Sequence, residues 1–320
     1  MSTSASGQAV SAESSGGTEP RTRVVVAIIV TLLAWASAFV VIRYVGADFS
    51  GGGLALGRLA VGTAVLGLLM IGKSWVRMSR RDWLIVVVIG LSWFGVYNVA
   101  LNIAEQTLDA GTTAMIVNIG PILIALGAGL FLGEGIPRWL VIGALVAFAG
   151  VALIGIGSGS QFIGNGVGIA WALLAAVTYA TGVLFQKPLL RRLPGIQITF
   201  LGCAIGAVAC LPFSGMLVRE LATAPPMSIA GVVYLGAVPT AIAFSTWAYA
   251  LTRMPAGRLG VTTYIVPALV ILFGFLFLGE VPTALAIAGG IVCLVGVALS
   301  RRTPRKGSVA ATTAKDVASR

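Results

Sequence analysis

Hydrophobic runs of about twenty residues follow one another from residue 24 to residue 300, separated by short polar breaks. A helix of that length crosses ~30 Å of hydrocarbon at 1.5 Å per residue. The breaks divide the chain into ten predicted spans, at 24–45, 53–72, 83–104, 111–133, 138–157, 166–186, 196–217, 228–251, 257–279 and 282–300. Lipid offers backbone N–H and C=O groups no partners, so the spans must be helical or form a closed barrel. The two-residue alternation of a barrel strand is absent. The pattern predicts an all-α polytopic membrane protein. Residues 1–23 and 301–320 fall outside it. The first reads as a disordered tail and the second as a basic polar tail. The first apolar stretch is too long for a cleavable signal and ends at Arg43, so it reads as a retained helix.

Composition agrees. Of the 320 residues, 58% are hydrophobic and 10% charged, against about 25% charged in a soluble domain. The formal net charge is +11, and its distribution carries the information. Eighteen of the 21 basic residues fall in alternate connections, beginning with the N-terminal tail. The exceptions are Arg43, Arg58 and Arg219. The positive-inside rule then puts both tails in the cytoplasm and the chain, multi-pass, in the cytoplasmic membrane. Orientation explains the basic surplus; nucleic-acid binding would need a soluble basic domain.

One stretch is written twice. PILIALGAGLFLGE runs from Pro121 to Glu134 and PALVILFGFLFLGE from Pro267 to Glu280, 146 positions later. The same offset aligns Gly90 with Gly236, Gly111 with Gly257, Gly143 with Gly289 and Gly150 with Gly296, without a gap. This predicts a duplication, with helices 1–5 in residues 24–157 and helices 6–10 in 166–300. Five is odd, so the second copy enters the membrane from the opposite side. Inverted repeats are a recurring design of secondary transporters, with a substrate site near mid-membrane between the halves.

The residues also carry a family resemblance. Trp35-Ala-Ser-Ala-Phe39-Val-Val-Ile-Arg43, Leu56-Gly-Arg58-Leu-Ala, and the two Pro…Leu-Gly-Glu stretches, at Pro121–Glu134 and Pro267–Glu280, resemble in order the signatures of the EamA family of the drug/metabolite transporter superfamily. The likeness covers about residues 24–300. It implies ten helices in two inverted five-helix repeats, and secondary movement of a metabolite, amino acid or drug-like compound, commonly outward.

Candidate site residues follow from polar, charged or aromatic side chains within spans. For a mostly apolar cavity with a few placed polar groups these are Trp35, Ser37, Phe39, Trp93, Tyr97, Asn98, Asn102, Asn118, Thr178, Tyr179, Trp247 and Tyr264. Interhelical hydrogen bonding would equally account for each of them. Ionisable groups in a span default to functional hypotheses, which adds Arg43 and Arg58. Both are expected in the outer half, receiving a substrate anion, pairing with Glu105 or Asp109, or snorkelling. Pro121 and Pro267, about ten residues into their spans, are hinge candidates. Glu105, Glu134 and Glu280 are helix-end or gate candidates. Glu134 and Glu280 are placed to meet the N–H groups of the helix that follows.

Other chemistries are thin. There is no histidine, no carboxylate near the centre of a span, and no nucleotide-binding GxxxxGK[ST] motif. The small multidrug branch of the superfamily carries a glutamate in its first helix, whereas residues 35–39 here hold none. Cys203, Cys210 and Cys293 lie inside spans and read as small apolar groups. No cofactor, metal site or catalytic residue is expected. A non-transporting receptor or scaffold, and an intramembrane enzyme, are the alternative readings. The glycine faces of helices five, seven and ten mark close packing, against the same chain or a second subunit.

Overall fold

The computed structural model describes residues 19–131, 138–157, 162–254, 259–260 and 262–300. Among them every regular element is helical. Helix α1 spans Glu19–Val45, α2 Gly51–Met70, α3 Arg80–Thr107, α4 Ala110–Val117, α5 Gly120–Phe131 and α6 Arg138–Gly157. Then come α7 Phe162–Leu189, α8 Gly195–Ala209, α9 Ser214–Thr223, α10 Pro226–Arg253, α11 Val266–Leu278 and α12 Ala284–Ser300. Among the described residues, five helices are long and apolar enough to cross a membrane: α1, α2, α3, α7 and α10. Shorter apolar helices supply the rest.

Three predicted spans are not continuous. At Cys210 the chain turns by 50°, so the seventh span is α8 followed by a bent segment ending in α9. The fourth is broken between α4 and α5. Asn118 takes φ −70° and ψ 2°, and Ile119 N donates to Ile116 O at 3.1 Å, a tightened turn. The ninth is broken by a 3₁₀ turn, Thr263–Ile265. Pro121 and Pro267 therefore do not bend continuous helices from within, as the sequence pattern suggested. Each lies in the first turn of a new helix, where a missing N–H costs nothing. The break comes before the proline because its nitrogen cannot donate to the carbonyl four residues back.

The 146-residue offset is visible in the helices. Moved by 146, the bounds of α3, Arg80–Thr107, become those of α10, Pro226–Arg253. Both contain a seven-residue π segment in register, Gly90–Val96 and Gly236–Ile242. Pro239 accounts for the second, since a wide turn spares the carbonyl that its ring would strike. Each π segment packs on the second helix of the other half, Gly90 against Ile205 of α8 and Gly236 against Val61 of α2.

Helices α6 and α12 form a tight pair within the chain. A Cβ on Gly150 would press on Gly289 O and Cys293, and one on Gly296 would press on Gly143 O and Ala147. The partner number falls as the α6 number rises, so these equivalent helices run antiparallel. Cys293 Sγ donates to Ala147 O at 3.0 Å in the same contact. The glycine faces of helices five and ten thus meet each other. At one end of the bundle, a capping box of Ser79 and Asp82 starts α3, and Arg192, just beyond α7, grips the Asp82 carboxylate at 3.1 and 3.0 Å.

Gly150→Leu should separate α6 from α12. Overpacking of this kind costs about 1–3 kcal/mol. The expected result is a lower unfolding midpoint in detergent, with Leu145→Ala, at an exposed α6 position, nearly neutral.

Candidate functional site

The two helix breaks line one small cavity of about 50 Å³, below the about 300–1,000 Å³ common for small-molecule sites. Val117, Asn118 and Pro121 approach from the α4–α5 break, and Thr263 and Val266 from the break before α11. Val117 and Thr263 are equivalent positions under the 146-residue offset. Asn118 Nδ2 donates to Thr263 O at 3.0 Å, so one break satisfies a carbonyl of the other. Asn118 Oδ1 is buried with no hydrogen-bond partner among the described residues.

Aromatic rings make the remaining wall. Trp35 and Phe39 come from α1, Trp93 and Tyr97 from α3, Tyr179 from α7 and Phe244 from α10. Trp93 lies in the π segment of α3, 5.0 Å from the Phe244 ring and 5.6 Å from Tyr179. Edge and tilted contacts such as these let rings interlock without stacking face to face. The wall is thus apolar, with Tyr97, Tyr179, Asn118 and Thr263 as its polar groups.

Of the side chains singled out from the sequence, Trp35, Phe39, Trp93, Tyr97, Asn118, Tyr179 and Pro121 meet at this cavity. Trp247 stands behind Trp35, with ring centroids 5.0 Å apart. Thr178 Oγ1 donates back to Leu174 O at 2.9 Å in its own helix. Ser37 is hydrogen-bonded to Tyr234 at 2.8 Å and lines a separate groove with Tyr44 and Phe277. Tyr264 packs beside Ile122 and Ala147. Asn98 Nδ2 donates to Phe94 O inside the π segment at 2.6 Å, and Asn102 Nδ2 to Gly51 O at 3.1 Å. Pro267 is buried at the start of α11.

Arg58 is 3% exposed. Its Nε and one terminal nitrogen donate to Thr240 Oγ1 at 3.3 and 3.2 Å, and Nη1 has no partner among the described residues. Its ionisable neighbours are Tyr97 and Cys203. Arg43 does not pair with the side chain of Glu105 or Asp109. Its Nε donates to Glu280 Oε1 at 2.7 Å and its Nη1 to the Glu105 backbone oxygen at 2.8 Å. Glu280 in turn accepts from Ala110 N at 3.4 Å, so its carboxylate meets the start of α4 instead of the helix that follows it. The reason is local: Gly279 ends α11 in a left-handed turn, φ 66°, and Arg43 offers the stronger, charge-assisted partner. Glu134 lies outside the described residues.

Ala114, Val117, Phe244, Thr263 and Val266 also line the cavity and do not stand out in the sequence. Thr263 is reachable from the repeat, which places it opposite Val117, one residue before Asn118. The others are apolar and give no local signal.

The EamA-like transporter family model matches residues 22–156 and again 166–302. A probable terminal-alkyne amino-acid exporter of Streptantibioticus cattleyicolor is 36% identical over 87% of this chain and 93% of its own. The uncharacterized transporter YdfC of Bacillus subtilis is 30% identical over 82% of this chain and 86% of its own. A protein of known crystal structure, 21% identical, superposes with a TM-score of 0.60 over 88% of this chain and 98% of its own, a likeness of fold. Two family matches in tandem cover most of the chain, and the named relatives are transporters. The chain belongs to the EamA-like transporter family, integral membrane transporters and not enzymes.

Proposed function

We propose that this protein is a secondary transporter of the cytoplasmic membrane that exports a small amino-acid-like molecule by alternating access. Its ten spans form two inverted repeats, residues 24–157 and 166–300, and both tails lie in the cytoplasm. The observation that carries this reading is the cavity at the meeting of two helix breaks in equivalent positions. Discontinuous helices in corresponding places of two repeats mark the binding sites of such carriers, because irregular backbone within lipid is tolerated where it lines a cavity. The antiparallel run of α6 and α12 supports the inversion.

The substrate class follows from what the cavity offers. Its apolar and aromatic wall suits a hydrophobic side chain. Unpartnered Asn118 Oδ1 suits an ammonium donor. Arg58 is a buried cation to which no carboxylate is bonded among the described residues, and a buried charge without a counter-ion is costly. A substrate carboxylate approaching past Tyr97 supplies that counter-ion. A neutral α-amino acid with an apolar side chain brings all three groups, in keeping with the amino-acid exporter among the relatives. No nucleotide-binding motif is present, so the driving force is a gradient.

Two substitutions test this in proteoliposomes loaded with radiolabelled neutral amino acids. Arg58→Ala should cut flux by about tenfold or more, the equivalent of losing ~1.4 kcal/mol of carboxylate binding, while Arg58→Lys keeps part of it. Unchanged flux in a correctly inserted Arg58→Ala protein would remove the anion-receiving role. Asn118→Ala deletes the bond between the two breaks, worth about 0.5–1.5 kcal/mol. It should lower both the unfolding midpoint and the apparent affinity.

A further inference from the structure

Three carboxylates gather around one cation where α1 and α3 end and α4 begins. Arg43 stands among Glu105, Asp109 and Glu280. Two of the three acids are satisfied as anions. Asp109 caps α4, accepting from Thr112 N at 2.8 Å and Thr112 Oγ1 at 2.6 Å. Glu280 accepts from Arg43 and from Ala110 N. Glu105 is different. It is 1% exposed, and neither carboxylate oxygen has a hydrogen-bond partner among the described residues.

The place of Glu105 matters as much as its isolation. Arg43 already holds the backbone oxygen of this residue. The Arg43 charge also acts on the Glu105 side chain. Glu280 belongs to the second repeat, whereas Arg43, Glu105 and Ala110 belong to the first. The Arg43–Glu280 pair, with side chains 32% and 23% exposed, is therefore a clasp between the halves. Asn98, Asn102 and Glu105 share one face of α3, and Asn98 Oδ1 and Asn102 Oδ1 are also buried without partners among the described residues. This polar line runs from beside the cavity residue Tyr97 to Glu105. Buried polar atoms in such a row are where water enters a structure. Around it, α2 brings Arg58, which is bonded to Thr240. Helix α7 brings Tyr179 at the cavity and Lys187 in its last turn, remote from Gly168, which adjoins Thr107 at the end of α3.

We propose that Glu105 is a proton-binding site that works the gate at the Arg43 end of the bundle. With the proton on a Glu105 oxygen, Arg43 holds Glu280 and the end is shut. When the proton leaves to solvent, the single guanidinium is drawn to the Glu105 carboxylate, Glu280 is released and the halves part. No covalent bond other than O–H changes. The proposal rests on the alternating-access reading and adds its coupling ion: one proton exchanged for each opening and closing of this end.

The test reads accessibility and needs no substrate. Ala114 lines the cavity one turn inside this end and is 1% exposed. In a protein with Cys203, Cys210 and Cys293 changed to alanine, Ala114→Cys is exposed to a cationic, membrane-impermeant methanethiosulfonate from the Arg43 side of sealed vesicles. Between about pH 5 and about pH 8, the modification rate with Glu105 intact should rise about tenfold more than in E105Q, where only thiol ionisation contributes. E105D should restore the extra rise with a displaced midpoint, which separates titration from a packing defect. E280Q, lacking the clasp, should react rapidly at every pH. Parallel pH profiles for the protein with Glu105 intact and for E105Q would overturn the proposal. If instead Ala114→Cys stayed unreactive from both sides at every pH, E280Q included, the alternating-access reading itself would fail.

Discussion

The backbone cannot leave its N–H and C=O groups bare in hydrocarbon, and the rest of this structure is arranged around that constraint. Five long helices meet it by themselves. Two shorter ones do not, because Asn118 and the Thr263–Ile265 turn interrupt them. Such interruptions must be enclosed by protein, and here each helps to enclose the other. Asn118 spans the gap to Thr263 O, and rings from α1, α3, α7 and α10 close the space around both. The cavity is the place where irregular backbone is permitted.

The duplication supplies a frame, and differences between its copies supply the chemistry. The frame is shared closely, down to the π segments of α3 and α10 and the reciprocal glycine contacts of α6 and α12. Several functional side chains are not shared: within the stretch that aligns without a gap, moving Glu105 by 146 positions leads to Leu251 and moving Trp93 leads to Pro239. Each half thus contributes what the other lacks. Arg58 of the first repeat bonds Thr240 of the second, and Arg43 bonds Glu280. Both contacts cross the interface between copies, so the charge arrangement exists only when the halves are together.

Much of this is legible in the chain. Span length and charge asymmetry point to the class, and the in-register glycines and prolines point to the duplication. Three things are not. The sequence pattern puts bends at Pro121 and Pro267, whereas the helices break at Asn118 and Thr263. A proline in a pattern shows that a hydrogen bond is missing but not on which side the helix yields. The π segments leave no compositional mark at Gly90–Val96, where no proline stands. The predicted topology offers Glu105 and Asp109 as partners for Arg43, because it puts them at the same external level. The first copy and the second fold into each other, and Glu280 arrives from 237 positions away. Apolar wall residues such as Phe244 and Val266 look like every other lipid-span residue until the packing is known.

The glycine contact between α6 and α12 has a mechanical consequence. With Gly150 set against Gly289 and Gly296 against Gly143, the two backbones touch with no side chain between them. Sliding one helix along the other by a residue would drive a Cβ into a peptide plane, so translation is blocked in both directions. Rotation about the line of touch is not. The pair therefore holds α6 and α12 in one register along their length.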